Sequence, residues 1–390
     1  MPQHRFASIH VVGTNGKSSV ARMTAALLEA HGLRTGACVS PHAERWSERV
    51  LIGGEEIGED AFAAAVERVA QAAKTVNRAL DEGEQVTQFE VATAVAFVAF
   101  ADARVDMAVI EAGLGGKLDA TNTIPSRVTV LTSIGLDHTE WLGGTELEIA
   151  AEKLAVLRDH TTLVLGRVSP SVEGLAREVV AARGAALVLS PEDPGGEMEM
   201  MARGSFQRRN FALAEAAARA FYGELDPERV AAVAASITVP GRLEQVDEDP
   251  PTFLDVAHNP DGAAALAEAL TEVGEGRPAI ACVAILAEKD AKAMLRALAP
   301  AISHLVATEP PHRADGPISQ GMLDISAHRR WFGAAELAAA GEGAGMEAEV
   351  VGDFGEALAR GRKLALASDA VLIVCGSNYI LAPARAAVRG

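Results

Sequence analysis

The most chemically pointed stretch of the chain is IHVVGTNGKSSVARM, residues 9–23. An apolar run, Ile9 to Val12, meets Gly13, Thr14, Asn15, Gly16, Lys17 and Ser18. Val20, Met23, Leu27 and Leu28 then recur at helical spacing until Gly32. A loop that joins a strand to a helix N-terminus presents backbone N–H groups and partial positive charge to an anion. Glycines at positions 13 and 16 let the backbone curl close to a phosphate. Lys17 can reach terminal phosphate oxygens, and Ser18 or Ser19 can bind Mg2+. The spacing departs from the common P-loop, which places about four residues between its first glycine and Gly-Lys-Ser/Thr. Only Thr14 and Asn15 intervene here. The residues alone leave two readings open: a nucleotide site of another kind, or a glycine-rich turn with an incidental lysine.

The elements that must position this loop alternate along the whole chain. SIHVVG, TGACVS, MAVIEAG, VTVLTSI and TLVLG read as strands in the first half. TFLDVA, AIACVAIL, HLVATE, AEVVG and AVLIVCG do so in the second. Ala/Leu/Glu-rich helical patterns separate them. That alternation predicts an α/β fold with mostly parallel sheets covered by helices. VATAVAFVAFA, from Val91, is too short to span a bilayer and reads as a buried helix. TELE, residues 145–148, reads as a capping box opening a helix whose apolar stripe is Leu147, Ala150, Ala151 and Leu154, with Lys153 on its flank.

A chain of 390 residues exceeds one ordinary core, so two domains are expected. TVPGRLEQVDEDPP, residues 238–251, holds prolines, a glycine and clustered acids, and places the linker near Pro240 and Gly241. The expected domains are 1–239 and 242–390. SPEDPGGE at 190–197 and EPPHRADGP at 309–317 read as loops. Hydrophobic residues make up 49%, which excludes a mainly disordered chain. A formal net charge of −18 argues against a nucleic-acid surface and requires positive groups to be concentrated locally wherever an anion binds. Cys38, Cys282 and Cys375 lie in separate apolar runs without disulfide or metal spacing, and read as buried small hydrophobes. Met1 to Arg5 lead straight into a strand, with no signal peptide, so the expectation is a soluble cytoplasmic protein.

GTNGKSS, SPHAERWSERVLIGGEEI, EAGLGGKLDATN, TSIGLDHTEWLG, AEKLAVL, PGRLE, LDVAHNP and CGSNYI occur in that order between about residues 9 and 385. In this the chain resembles the Mur ligase superfamily, most closely its folate branch of folylpolyglutamate and dihydrofolate synthases. The two-residue gap between the loop glycines is characteristic of that superfamily. The resemblance implies a P-loop α/β domain that binds ATP, followed by a smaller α/β Mur-ligase C-terminal domain that binds glutamate and completes the site. It also implies the reaction. ATP phosphorylates a carboxylate, and the amine of L-glutamate attacks the acyl phosphate to form an amide.

By the same resemblance, Thr14, Asn15, Gly16, Lys17 and Ser18 hold the ATP phosphates, with Asn210, Arg242 and Asp255 as further nucleotide contacts. Ser18, Ser40, Glu111, His138 and Lys153 serve Mg2+, in two sites, with Lys153 carbamylated so that a cation becomes an anion. Lys17, His138 and Lys153 are the catalytic candidates. Thr87, Gln88, Phe89 and Glu90, with Leu118, Asp119 and Ala120, match places where the family meets the pterin or folate. Asp137 could orient His138 or position substrate. His258 and Ser377 match positions for the incoming glutamate, and Lys289 fits the pattern without an assigned role. The implied partners are small molecules only (ATP, L-glutamate and dihydropteroate or folate), with no nucleic acid or membrane, on a monomer.

Read without the resemblance, most of these are ordinary. Ser40-Pro41 is a turn, Glu111 a loop acid, His138 a lone loop histidine, and Lys153 a snorkelling surface lysine. The sequence also departs from the family. Its P-loop strand begins within the first ten residues, where relatives carry several dozen before it, which bears on pterin specificity. Lys-Ser-Ser replaces the commoner Lys-Gly-Ser or Lys-Gly-Thr, AEKLAV puts bulk beside Lys153, and Asn378 stands where an apolar residue is frequent. Two alternatives stay open: a Mur-type ligase for another carboxylate, and a non-catalytic nucleotide-binding relative.

Overall fold

The structure is a computed structural model that describes residues 1–191, 193, 198–310 and 330–389. Most of the expected 190–197 loop, and the expected 309–317 loop from residue 311 on, lie outside the described residues. The chain forms two compact units. One comprises Met1–Met201 and Gln207–Ile237, the other Ala202–Phe206 and Thr238–Gly390.

The first unit is built on strands β1 (Ala7–Val12), β2 (Thr35–Cys38), β3 (Val50–Ile52), β4 (Glu55–Glu56), β5 (Met107–Glu111), β6 (Val128–Leu131), β7 (Thr162–Leu165) and β8 (Ala186–Leu189). Their order in the sheet is β4-β3-β2-β5-β1-β6-β7-β8. The run from β2 to β8 is parallel, and β3 and β4 add an antiparallel hairpin at one edge. β1, β5 and β6 are buried along almost their whole length, as expected of parallel strands covered on both faces. One core packs Phe6, Phe97, Phe100 and Ile110. Another packs Val12, Leu131, Leu154 and Leu163. The helix Gln88–Ala103 holds all of VATAVAFVAFA and is largely buried, as expected.

The second unit carries β9 (Glu244–Glu248), β10 (Pro251–Leu254), β11 (Ala279–Val283), β12 (Ile302–Ala307), β13 (Glu347–Val350) and β14 (Val371–Cys375). Their order is β13-β12-β11-β14-β10-β9, parallel except for the edge strand β9. A continuous core runs from Phe253 through Val283, Leu295 and Leu305 to Ile373. All ten expected strands are present. β3, β4, β8 and β9 are additional, and each lies at or next to a sheet edge.

The sheet order of the first unit matters most for chemistry. β1 lies between β5 and β6, and the chain leaves β1 toward β2 on one side and later crosses to β6 on the other. Such a reversal opens a crevice at the carboxyl ends of the strands, where open α/β sheets bind ligands. The carboxyl end of β1 is Gly13–Ser18, that of β5 is Glu111, and that of β6 is Thr132–Gly135. The register aligns Val11 with Glu111 and Val12 with Leu131, so the three ends emerge level.

Candidate active site

The glycine loop is pinned from one side by the residues after β6. Thr14 N donates to the Ser133 carbonyl at 2.8 Å, and Asn15 N to Ser133 Oγ at 3.1 Å. Thr132 Oγ1 donates to the Asn15 carbonyl at 2.6 Å. Thr14 Oγ1 accepts from Gly135 N at 3.1 Å. Both glycines are required. Gly13 has φ 149° and Gly16 φ 85°. A Cβ on Gly13 would stand 1.9 Å from Thr132 Oγ1, and one on Gly16 2.6 Å from Asn210 Oδ1. Asn210 therefore sits against the loop, held by a 2.9 Å bond from its Nδ2 to Gln207 Oε1. The helix Lys17–Ala30 starts at the end of the loop, so its first N–H groups lack intrahelical acceptors and face the crevice with the positive end of the dipole. Thr132 and Ser133 were not singled out by sequence reasoning. Their signal was the TSIG that follows β6, two hydroxyls just past a strand end opposite a glycine turn.

Across the loop, three residues from three elements converge. Ser18 Oγ stands 3.0 Å from Glu111 Oε1 and 3.0 Å from the Ser40 carbonyl. Ser40 N donates to Glu111 Oε2 at 2.8 Å. Glu111 is only 3% exposed. A hydroxyl, a carbonyl and a carboxylate in one place form an oxygen donor set suited to Mg2+, which usually takes one or two carboxylates and completes its shell with water and substrate phosphate. Among the described residues no group of three or more His, Cys, Asp and Glu side chains could hold a metal by itself. A cation here would therefore lean on phosphate oxygens.

Two lysines meet on the other flank of the loop. Lys17 Nζ donates to the carbonyls of Gly13 and Thr14, each at 3.0 Å. Lys153 Nζ donates to the same Gly13 carbonyl at 2.9 Å. Lys153 is 4% exposed, so the surface reading of this lysine is wrong. The helix Glu146–Leu154 opens on the expected Thr145/Glu148 capping box, but its buried face is Ile149, Ala150, Lys153 and Leu154. Leu147 and Ala151, expected in that stripe, are exposed. Burial, and next the Lys17 ammonium, push the Lys153 amine down to about 7, against the pull of Asp137, Asp119 and Glu152.

His138 follows β6 in a left-handed conformation, φ 52°. Its Nε2 is 3.9 Å from Asp137 Oδ1 and its Nδ1 4.0 Å from Glu140 Oε1. Asp137 thus connects His138 with the charge environment of Lys153. Thr87 and Glu90 form a reciprocal cap at the start of the helix Gln88–Ala103. Phe89 lies so close to Gly113 that a Cβ there would meet its ring at 2.4 Å. Asp119 is buried and committed to its own loop. Its Oδ2 accepts from Gly113 N at 3.0 Å and Leu114 N at 2.8 Å, and its Oδ1 from Thr121 N at 2.9 Å and the Thr121 hydroxyl. Leu118 beside it is 90% exposed, and Ala120 is half-buried.

In the second unit, Asp255, His258 and Ser377 gather at the carboxyl ends of the adjacent strands β10 and β14. Asp255 Oδ2 accepts from Leu243 N at 2.8 Å and Oδ1 from Ala257 N at 2.7 Å. Burial raises its pKa, with Arg242, these N–H groups and His258 opposing. Arg242 and His258 are therefore within electrostatic reach of this carboxylate. His258 Nδ1 lies 2.9 Å from the Val256 carbonyl. Ser377 caps the turn Asn378–Ile380. Lys289 follows β11, its N–H bonded to the Leu286 carbonyl. The three cysteines are buried and unpaired. No helix of the described residues is long and apolar enough to cross a membrane.

Residues 241–378 match the glutamate ligase domain of the Mur ligases. The chain is 37% identical over 345 residues to the dihydrofolate synthase/folylpolyglutamate synthase of Mycobacterium tuberculosis, covering 79% of this chain and 71% of that protein. The folylpolyglutamate synthase of the same organism, solved with ADP, superposes with a TM-score of 0.88 at 31% identity, over 99% of this chain and 91% of the other. A bifunctional folylpolyglutamate synthase/dihydrofolate synthase solved with Mn, AMPPNP and L-glutamate gives a TM-score of 0.79 at 30% identity, over 98% and 90%. The chain belongs to the folylpolyglutamate synthase/dihydrofolate synthase family, ATP-dependent, amide-forming ligases of the Mur ligase superfamily.

Proposed function

We propose that this enzyme joins L-glutamate to the carboxylate of dihydropteroate, of reduced folates, or of both, with ATP converted to ADP and phosphate. The observation that carries the reading is the convergence of Ser18, Ser40 and Glu111 beside a glycine loop flanked by Lys17 and Lys153. The ADP, AMPPNP, manganese and L-glutamate named with the solved relatives support it.

In this reading Thr14 to Ser18 cradle the triphosphate, and Asn210, Arg242 and Asp255 contact the nucleotide. Lys17 leaves its two loop carbonyls to neutralise the transferring phosphoryl group. Ser18, Ser40 and Glu111 hold Mg2+, which when bound would offset the charge of two anions brought together. His138 and Lys153 serve a second cation. A buried amine titrating near 7 keeps a large neutral fraction at physiological pH, the form that reacts with CO2. Lys153 carbamylated in this way, with one proton released, supplies the anion that a bare ammonium cannot. Thr87 to Glu90, Leu118 to Ala120 and Asp137 line the acceptor side. His258 and Ser377 orient glutamate so that its neutral amine attacks the acyl carbon and phosphate leaves. Residues 1–239 act as the ATP-binding domain and 242–390 as the glutamate ligase domain of a cytoplasmic monomer.

The test is turnover of purified enzyme with ATP, Mg2+ and L-glutamate, offering dihydropteroate and tetrahydrofolate separately. Mass spectrometry should find acceptors extended by one glutamate residue, with ADP formed in step. Glutamate-dependent ADP release with some other carboxylate, and none with either folate acid, would overturn the assignment of substrate.

A further inference from the structure

His10 is an anomaly in the core. It lies in mid-strand on β1, flanked by Ile9 and Val11, and is 0% exposed. Its register partners are Ile110 on β5 and Thr129 on β6. Nε2 stands 2.8 Å from Thr121 Oγ1. The Thr121 hydroxyl donates its hydrogen to Asp119 Oδ1. An ionised carboxylate only accepts, so the Thr121 oxygen can only accept from the ring, and the proton must sit on Nε2. Nδ1 is then bare, and it has no hydrogen-bond partner among the described residues. Burial, and next Arg158, push the ring down to about 3, which keeps it neutral.

A leucine or methionine would fill this volume without burying an unpaired nitrogen. What the imidazole adds is one rigid donor aimed at Thr121. The chain of bonds continues from there. Asp119 receives Thr121 on one oxygen and the N–H groups of Gly113 and Leu114 on the other. Gly113 is the second residue after Glu111 and supports the Phe89 ring. The relay thus runs from the middle of the sheet to the loop that carries Leu118 into solvent.

We infer that His10 is a positioning residue: through Thr121 it orients the Asp119 carboxylate, which shapes the Gly113–Ala120 loop for the acceptor acid. This rests on the proposed placement of the acceptor at that loop. A buried group of this kind fixes the rotamer of one nearer the substrate.

The experiment compares wild type with His10→Met, His10→Gln, Thr121→Val and the His10→Met/Thr121→Val pair. Two readouts are used: KM for each substrate, and hydrogen–deuterium exchange of residues 113–120. Losing the donor should raise the acceptor KM about tenfold, the scale of one buried hydrogen bond between neutral groups, while KM for ATP stays within about twofold. His10→Gln, which keeps a donor, should recover most of the loss. Thr121→Val should reproduce it, and the pair should be no worse than the worse single variant. Exchange at 113–120 should quicken in His10→Met and Thr121→Val and not in His10→Gln. Unchanged exchange in both, equal rises in KM for ATP and acceptor, or additive effects in the pair would overturn the inference. If His10→Met does not fold, Thr121→Val carries the comparison alone. A wild-type enzyme that ignores folate acids while the exchange pattern holds would instead remove the substrate reading and leave the relay standing.

Discussion

Replacing Lys153 by Met should stabilise the protein at neutral pH and abolish its turnover. In the folded chain the amine falls from its ordinary 10.5 to about 7, mainly through burial and next through Lys17. Because the folded value lies below the unfolded one, the unfolded chain holds this proton more tightly. The resulting destabilisation is complete below about pH 7, fades as pH rises from 7 toward 10.5, and is gone above it. At about 1.4 kcal/mol per unit, the gap corresponds to roughly 4 kcal/mol at neutral pH. Removing the bond from Nζ to the Gly13 carbonyl takes away about 1 kcal/mol, and Lys17 still serves that carbonyl. The net gain is about 3 kcal/mol, or a rise in melting temperature on the order of 6–12 °C for a unit of this size. Calorimetry and urea titration in bicarbonate-free buffer, at about pH 7 and about pH 10, read this directly. The gain should be present at the lower pH and nearly absent at the higher. An unchanged melting temperature at neutral pH, or a gain independent of pH, would refute the reasoning that Lys153 is held against its charge.

Other perturbations follow from the same geometry. Lys17→Ala should lower kcat by about 10²–10³-fold or more with the fold intact by circular dichroism, the effect expected of the charge proposed for the transferring phosphoryl group; near-normal rates would show the lysine to be misassigned. Gly13→Ala places a Cβ 1.9 Å from Thr132 Oγ1 at φ 149°, so ATP affinity measured by calorimetry should fall at least about tenfold as the loop is displaced; wild-type affinity would mean the loop tolerates what the packing forbids. His258→Ala should raise KM for glutamate by about tenfold or more and leave the nucleotide dissociation constant unchanged; equal loss of both would contradict its place on the glutamate side.

The strands were legible because parallel strands covered on both faces are unbroken apolar runs, as MAVIE and VLIVC are. The elements missed lack that signature. β9 reads EQVDE because it is an antiparallel edge strand with much of its surface in water. β3 and β4 are very short, and their signal was the Gly53-Gly54 turn with both residues at positive φ. The glycine loop was legible from types and spacing alone, but its attachment to Thr132 and Ser133 spans over a hundred residues of chain and needed the sheet order. Lys153 shows the limit of periodicity. A helical wheel places it at the margin of the stripe, yet a lysine there argues for solvent unless an acceptor such as the Gly13 carbonyl lies inside. His10 was passed over because nothing in a strand's alternation announces the partner that Thr121 supplies.

The site account stands or falls on where nucleotide and cation bind. Crystals grown with AMPPNP and Mn2+, with data collected at the manganese absorption edge, locate both. The account predicts phosphates against Gly13–Ser18, and an anomalous peak within bonding distance of Ser18 Oγ with Glu111 and Ser40 in its first or second shell. Manganese and phosphates bound away from the carboxyl ends of β1 and β5, with the glycine loop empty, would contradict it.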